Sequence, residues 1–192
     1  MPTRKVITIT DGDLLEKLLH GSKGRYEWNE MMKRERALAA KTGSKLLIDL
    51  DYRDFSGIDM SGLDLRGASF LCCELQGTNL FQAQLKGVSF EGASFDSKTN
   101  FTSAELDRKT YFLDAYLHGC DLSQIKGELS PKQLAIVATM KEPPKLPKTM
   151  ELREIFDAAW TISWKDPAGK SERVQEQIRA ATNIADQQPT LV

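Results

Sequence analysis

The sequence is poor in the residues from which active sites are usually made. It holds two histidines, His20 and His118, and neither lies near a Cys or Ser in a triad-like pattern. It holds three cysteines, of which Cys72 and Cys73 are adjacent, a spacing that suits neither a zinc knuckle nor a redox CxxC pair. The expectation is free thiols and residence in a reducing cytoplasm. No apolar run approaches the roughly 20 residues of a membrane-spanning helix. The residues Met1 to Lys5 lead into Val6-Ile7-Thr8-Ile9-Thr10, which alternates like a strand and is too short for a signal peptide. A large charge excess is also absent, with 26 Lys and Arg against 27 Asp and Glu, which argues against a general nucleic-acid binder. There is no GxGxxG and no P-loop; Gly21-Ser22-Lys23-Gly24 reads as a helix linker with a lone Lys.

What the chain does have is a period of five. Large apolar residues recur at Leu50, Phe55, Met60, Leu65, Phe70, Leu75, Leu80, Leu85, Phe90 and Phe95. After one extra residue the series resumes at Phe101 and Leu106, and after a second at Phe112, Leu117 and Leu122. Two places before each centre the residue is mostly small, as in Ala68, Cys73, Thr78, Ala83 and Ala93. One place before it is mostly polar, and two places after it Gly is frequent. Five matches neither the 3.6-residue period of a helix nor the two-residue period of a strand. It requires a chain that turns a corner every five residues, stacking coils that bury together what no single pentad buries alone.

The pentads Ala68-Ser69-Phe70-Leu71-Cys72 and Thr78-Asn79-Leu80-Phe81-Gln82 resemble the A-(D/N)-L-x-x pattern of the pentapeptide-repeat family. The resemblance covers roughly residues 46–127 and 15 consecutive pentads. It implies a mainly β fold: a right-handed quadrilateral parallel β-helix of about four coils, with small and central residues inward and glycines at corners. Counting by fours then stacks Leu50, Phe70, Phe90 and Phe112 on one face. In the first coil the inward positions Ile48, Arg53, Ile58 and Leu63 are large, which reads as an open mouth splayed against another segment.

The expected organisation is an N-terminal strand and helical cap over 1–45, the β-helix over 46–127 and a C-terminal helical tail over 128–192. In the cap, Asp11-Gly12-Asp13 offers helix-start chemistry ahead of Leu14, Leu15, Leu18 and Leu19. A second helix fits Arg25 to Lys41, with Trp28, Met31, Met32 and Leu38, and Gly43 stops it. Bacterial members of the family commonly have such a Trp-containing stretch before the first coil. In the tail, Ser130-Pro131 starts a short helix, and Pro143, Pro144 and Pro147 read as a stiff spacer. Helices then fit Glu151 to Ser163 and Ser171 to Ala185.

No catalytic, cofactor-binding or metal-binding residue is expected. Asp49, Asp54, Asp59 and Asp64 fall one per face and form a solvated ring rather than an acid–base pair. The informative residues are apolar ones at outward positions: Leu71, Phe81, Tyr111, Leu113 and Tyr116, candidates for contact with another protein unless C-terminal helices cover them. The sequence therefore points to a non-enzymatic protein-binding or scaffold module. Residues 49–122 carry 6 basic and 12 acidic groups. The best-understood family members mimic DNA and protect DNA gyrase, so a DNA mimic acting on gyrase or topoisomerase is one alternative, and a structural component of a larger assembly or a secreted effector is another. Family dimers form at the C-terminal end, which here nominates Phe156 and Trp160 as a homodimer contact.

Overall fold

The computed structural model describes residues 6–18, 20–134, 144–151, 153–155 and 158. The elements begin with strand β1 (Val6–Thr10), helix α1 (Asp11–Leu18), helix α2 (Gly21–Thr42) and strand β2 (Lys45–Asp49). Two-residue strands follow: β3 (Ala68–Ser69), β4 (Ser94–Phe95), β5 (Glu105–Leu106), β6 (Tyr116–Leu117) and β7 (Lys126–Gly127), then helix α3 (Pro131–Leu134).

The repeat builds a β-helix. Asp54, Asp59, Asp64 and Ser69 bridge Glu74, Asn79, Gln84 and Ser89, all in parallel and each twenty residues on. One turn therefore spends four pentads, and four ladders run side by side. Ladder one joins Asp49, Ser69, Ser89 and Tyr111. Ladder two joins Asp54, Glu74, Ser94 and Tyr116. Ladder three joins Asp59, Asn79, Asn100 and Asp121, and ladder four joins Asp64, Gln84, Glu105 and Lys126.

The central and small positions face inward. All fifteen centres from Leu50 to Leu122 are buried, and so is every small position from Ala68 to Cys120. Phe90 lies between Phe70 and Phe112, with ring centroids 5.4 Å away on each side and planes 29° and 24° apart. A threonine is tolerated inside because its hydroxyl has an acceptor one coil below: Thr78, Thr99 and Thr110 donate to the carbonyls of Phe55, Leu75 and Leu85 at 2.9, 2.9 and 3.1 Å.

The corners come in two kinds. Most turn through a left-handed residue two places after the centre, usually Gly, which takes that conformation without a Cβ clash. The two six-residue corners have the same sequence form, Asp96-Ser97-Lys98-Thr99 and Asp107-Arg108-Lys109-Thr110. There the Asp carboxylate accepts from the backbone N–H of the following Lys and Thr and also from Gly77 or Gly87 one coil below. The ladder step grows to 21 or 22 residues across these corners, as in Asn79 to Asn100 and Ser89 to Tyr111, while the pairing continues. Ser97, Lys98, Arg108 and Lys109 are exposed, so the extra residues leave the interior unshifted.

At the N-terminal end, β1 pairs in parallel with β2 beneath ladder one. α1 starts directly at the end of β1. Asp13 accepts from both the N–H and the hydroxyl of Thr10 at 2.8 and 2.9 Å, so its carboxylate reaches back to the residue that precedes the helix. α2 starts at Gly21, earlier than Arg25, and ends at Gly43 in the left-handed conformation, as its sequence indicates. Leu14, Trp28 and Met32 join the same buried cluster as the column. α2 also meets the open lower rim of ladder four. The Asn29 carboxamide accepts from Asp64 N–H at 2.8 Å and donates to Gly62 O at 2.9 Å, and the Trp28 indole donates to Asp64 O at 3.0 Å. These side chains take the bonds that a lower coil supplies elsewhere. The side chains of Leu15 and Leu19 lie outside the described residues.

Two expectations need correcting. Arg53 is not inward: it is exposed, whereas Ile48 and Leu63 are buried. Ile48 pairs with the buried Ile9 of β1, and Leu63 lies in the Gly62–Asp64 stretch that α2 holds. A guanidinium at this level gains more from water. The proline-rich stretch is also not a free spacer. Lys145 bridges Asp121, donating to Cys120 O and accepting from Leu122 N–H, both at 2.8 Å. Pro144, Met150 and Ile155 are buried against the upper end. Within α3, Gln133 makes a capping box with Ser130 and donates to the carbonyls of Asp107 and Thr110, as Asn29 does at the other end. Phe156, Trp160 and nearly all of the helices expected over 151–163 and 171–185 lie outside the described residues.

Candidate protein-binding surface

The outward side of each ladder is set by the residue just before the centre. Asp or Asn there accepts from the backbone N–H two residues on, tightening the corner: Asp54 to Ser56, Asp59 to Ser61, Asn79 to Phe81, Asn100 to Thr102 and Asp121 to Ser123, at 2.8 to 3.2 Å. The acids of the first coil, Asp49, Asp54, Asp59 and Asp64, are each engaged in such a turn. Among the described residues no cluster of three or more His, Cys, Asp or Glu side chains suits a metal ion.

Ladders three and four spend their outward groups along their own columns and on the flanking segments. On ladder three, Asn100 donates to Asn79 at 3.0 Å and Asn79 to Asp59 at 2.9 Å. Arg25 pairs with Asp59 below at 2.8 Å, and Lys145 with Asp121 above at 3.3 Å. On ladder four, Arg36 and Arg66 each fork onto Asp64 with bonds of 2.7 to 3.0 Å, and Lys86 pairs with Glu105 at 2.9 Å. Burial alone would raise the Asp64 carboxyl, but hydrogen bonds from Arg66 and Arg36 outweigh it and hold the group below its ordinary value.

Ladder one and its corner with ladder two are different in kind. Tyr52 is 69% exposed and Tyr111 38%, while Val6 at 51% and Leu47 at 36% continue the same surface down onto β2 and β1. Leu71 and Leu113 are partly exposed beside them. The stretches 49–54, 69–74, 89–94 and 111–116 that form this surface hold six acids, Asp49, Asp51, Asp54, Glu74, Glu91 and Asp114, against one base, Arg53. Desolvation, then Glu91 and Asp114, push the Tyr111 phenol up from its ordinary value. Apolar and aromatic groups thus stand among carboxylates on an otherwise flat strand surface.

Repeat of this form over the whole β-helix is also what comparison finds. The description "Pentapeptide repeats" matches residues 49–80 and 73–125, in eight copies. Residues 49–125 belong to the pentapeptide-repeat family. No curated protein matches it. Pentapeptide-repeat proteins are generally non-enzymatic structural or interaction modules, so interest falls on the outer surfaces rather than on a pocket.

The five residues nominated from the sequence do not form one patch. Leu71, Tyr111 and Leu113 share ladder one. Tyr116 lies on ladder two, with its ring centroid 6.0 Å from that of His118. Phe81 stands on ladder three beside Asn79, apart from the others. Three members of the surface escaped sequence reasoning. Val6 and Leu47 precede the first pentad. Tyr52 occupies a corner position that the pattern reserves for Gly, and its φ of 59° is the signal that could have drawn attention to it.

Proposed function

We propose that this protein is a non-enzymatic protein-binding or scaffold module whose partner lies against ladder one and its corner with ladder two. The observation that carries this reading is the exposed apolar strip of Val6, Leu47, Tyr52, Leu71, Tyr111 and Leu113, which stands among six acids and one base. Exposed aromatic clusters of this kind mark interfaces. In this reading the β-helix is a right-handed quadrilateral prism of about four coils. Residues 1–45 close its lower end and residues 128–192 its upper end, and it works in a reducing cytoplasm. The free thiols agree with that compartment, with Cys73 and Cys120 buried and raised to about 11 and about 12 by desolvation. No described helix is long and apolar enough to cross a membrane. The expected dimer contact at Phe156 and Trp160 lies outside the described residues and forms no part of this reading.

The test is purification of native complexes with wild-type protein and with Tyr52→Ser/Tyr111→Ser. Loss of a partner in the double variant, but not in Phe81→Ser, supports the assignment. Equal recovery from all three refutes it. A second reading, a DNA mimic that protects gyrase or topoisomerase, is favoured by the six acids against one base on the same surface. Supercoiling assays with and without quinolone separate the two. A place in a larger assembly or a secreted effector role is the third option, and it predicts that the partner itself is multimeric or foreign to the source cell.

A further inference from the structure

β1 forms the outer edge of its sheet, since the strand order is β1-β2-β3. The ladder pattern fixes which of its backbone groups are paired. Throughout the repeat, the residue before each centre sends both its N–H and its C=O to the coil below: Ser89 N–H donates to Ala68 O, and Phe70 N–H donates to Ser89 O. Thr10 is aligned with such a residue, Asp49, so its groups face downward, and its N–H indeed finds Asp13 rather than β2. Alternation then aims the N–H and C=O of Val6 and Thr8 the same way, to the free edge, while Ile7 and Ile9 bond to β2. Among the described residues nothing pairs with those four groups.

An edge like this is normally protected by a charge, a proline or a bulge. β1 has none; its five residues are Val, Ile and Thr only. We propose that β1 is the contact strand of a homodimer, in which two copies join antiparallel with Ile7 opposite Ile7 of the second copy. It is carried by the backbone groups of the edge, whereas the partner surface proposed above, which shares Val6, is carried by outward side chains. The register follows from the groups available. With the two-fold axis at Ile7, Val6 opposes Thr8 of the second copy, and that pair exchanges both of its N–H···O=C bonds. The symmetry-related pair does the same, giving four bonds that use every free group on Val6 and Thr8 of both strands. A register centred on Thr8 would instead need the Thr10 N–H, which Asp13 already holds at 2.8 Å. The uncharged strand sets no like charges against each other, and an isologous contact is the commonest oligomer symmetry. A five-residue strand pair is well below the ~1,200 Å² of a standard interface, so the dimer is a weak one that forms at micromolar concentrations.

The experiment uses the full chain with Cys72→Ser, to remove the exposed thiol. Ile7 faces its own copy in a non-hydrogen-bonded pair, where Cα atoms are about 4.5 Å apart, within disulfide reach. Ile7→Cys is therefore expected to cross-link to a dimer under copper–phenanthroline. Thr8→Cys alone and Val6→Cys alone are not expected to, but a mixture of those two gives the heterologous cross-link. Thr8→Lys, at an exposed position, is expected to move the light-scattering mass at about 100 µM from above one chain to one chain, with an unchanged melting temperature. A wild-type monomer at that concentration overturns the proposal. So does the absence of an Ile7→Cys cross-link, or a dimer mass that survives Thr8→Lys, which would assign the dimer to another surface.

Discussion

Asp64→Asn isolates the link between α2 and the β-helix. The carboxylate, 8% exposed, takes four bonds from two guanidiniums: Arg36 Nε and Nη2 at 3.0 Å each, and Arg66 Nε and Nη2 at 2.9 and 2.7 Å. The backbone bonds from Trp28 and Asn29 go to the Asp64 main chain and survive the substitution. A hydrogen bond to a charged group is worth roughly 1.5–3 kcal/mol, and four would sum to far more than the pair can contribute. The guanidiniums retain 26% and 43% exposure, so water takes up most of what they lose. The amide also keeps one acceptor oxygen. A loss of about 2–3 kcal/mol at neutral pH is expected, measured by urea denaturation followed by circular dichroism. The pH dependence gives a second reading. The folded-state value lies below the ordinary 3.8, so the contribution is complete above that value and is lost as pH falls through the lower, folded one. The gap between wild type and variant should thus be widest near neutrality and close in strong acid. A variant within about 0.5 kcal/mol of wild type at neutral pH would refute the reasoning, as would a gap unchanged in strong acid.

Ala83 is fully buried, so Ala83→Arg places an unpaired charge in a packed column and should cost more than about 3 kcal/mol; an unchanged melting temperature would contradict its inward placement. Gln82 holds a φ of 57°, and Gln82→Gly should gain about 0.5 kcal/mol, the relief of left-handed strain exceeding the added unfolded-state entropy; a loss in urea denaturation would show that the side chain contributes more than the strain costs. Deleting residues 1–43 removes Trp28, Asn29 and β1 from the lower end and exposes Ile48 and Leu63, so the truncated protein should aggregate, and sedimentation showing a stable monomer would remove any closing role from that segment.

The column was legible because its signal is local and repeated. A centre such as Phe90 and a small residue such as Ala83 are fixed by spacing alone, since any slip would drive a phenylalanine into the room of an alanine. The two insertions were legible as interruptions, and their shared Asp-x-Lys-Thr form explains how they are absorbed. The ends were less legible, because what pairs there is set by open rims rather than by pattern. Lys145 carries no strand signal between two prolines, yet Cys120 O and Leu122 N–H are an unfilled ladder position and Lys145 fills it. Asn29 and Gln133 are ordinary surface amides by sequence. Asn29 donates to and accepts from the lower rim as a neighbouring coil would, and Gln133 donates to two carbonyls at the upper end while its oxygen holds Ser130 at the start of α3.

The surface on ladder one was half legible for a similar reason. Counting positions finds an outward Leu71 or Tyr111, but it discards Tyr52 as a worn corner. The backbone argues otherwise. At Tyr52, Cys72 and Asp114, one corner column turns through non-glycine residues at φ of 59°, 52° and 54°, and only Gly92 among its four members is the expected type. A left-handed conformation costs a side chain roughly 1–2 kcal/mol relative to glycine. At Tyr52 that cost is not recovered inside the fold, since the residue is 69% exposed. Gln82 and Ser103 turn in the same left-handed way at other corners, so what sets Tyr52 apart is an aromatic ring held in solvent. The corner beside Leu71 and Leu113 is where left-handed backbone, exposure and aromatic character coincide, and the partner surface proposed on ladder one rests on that coincidence.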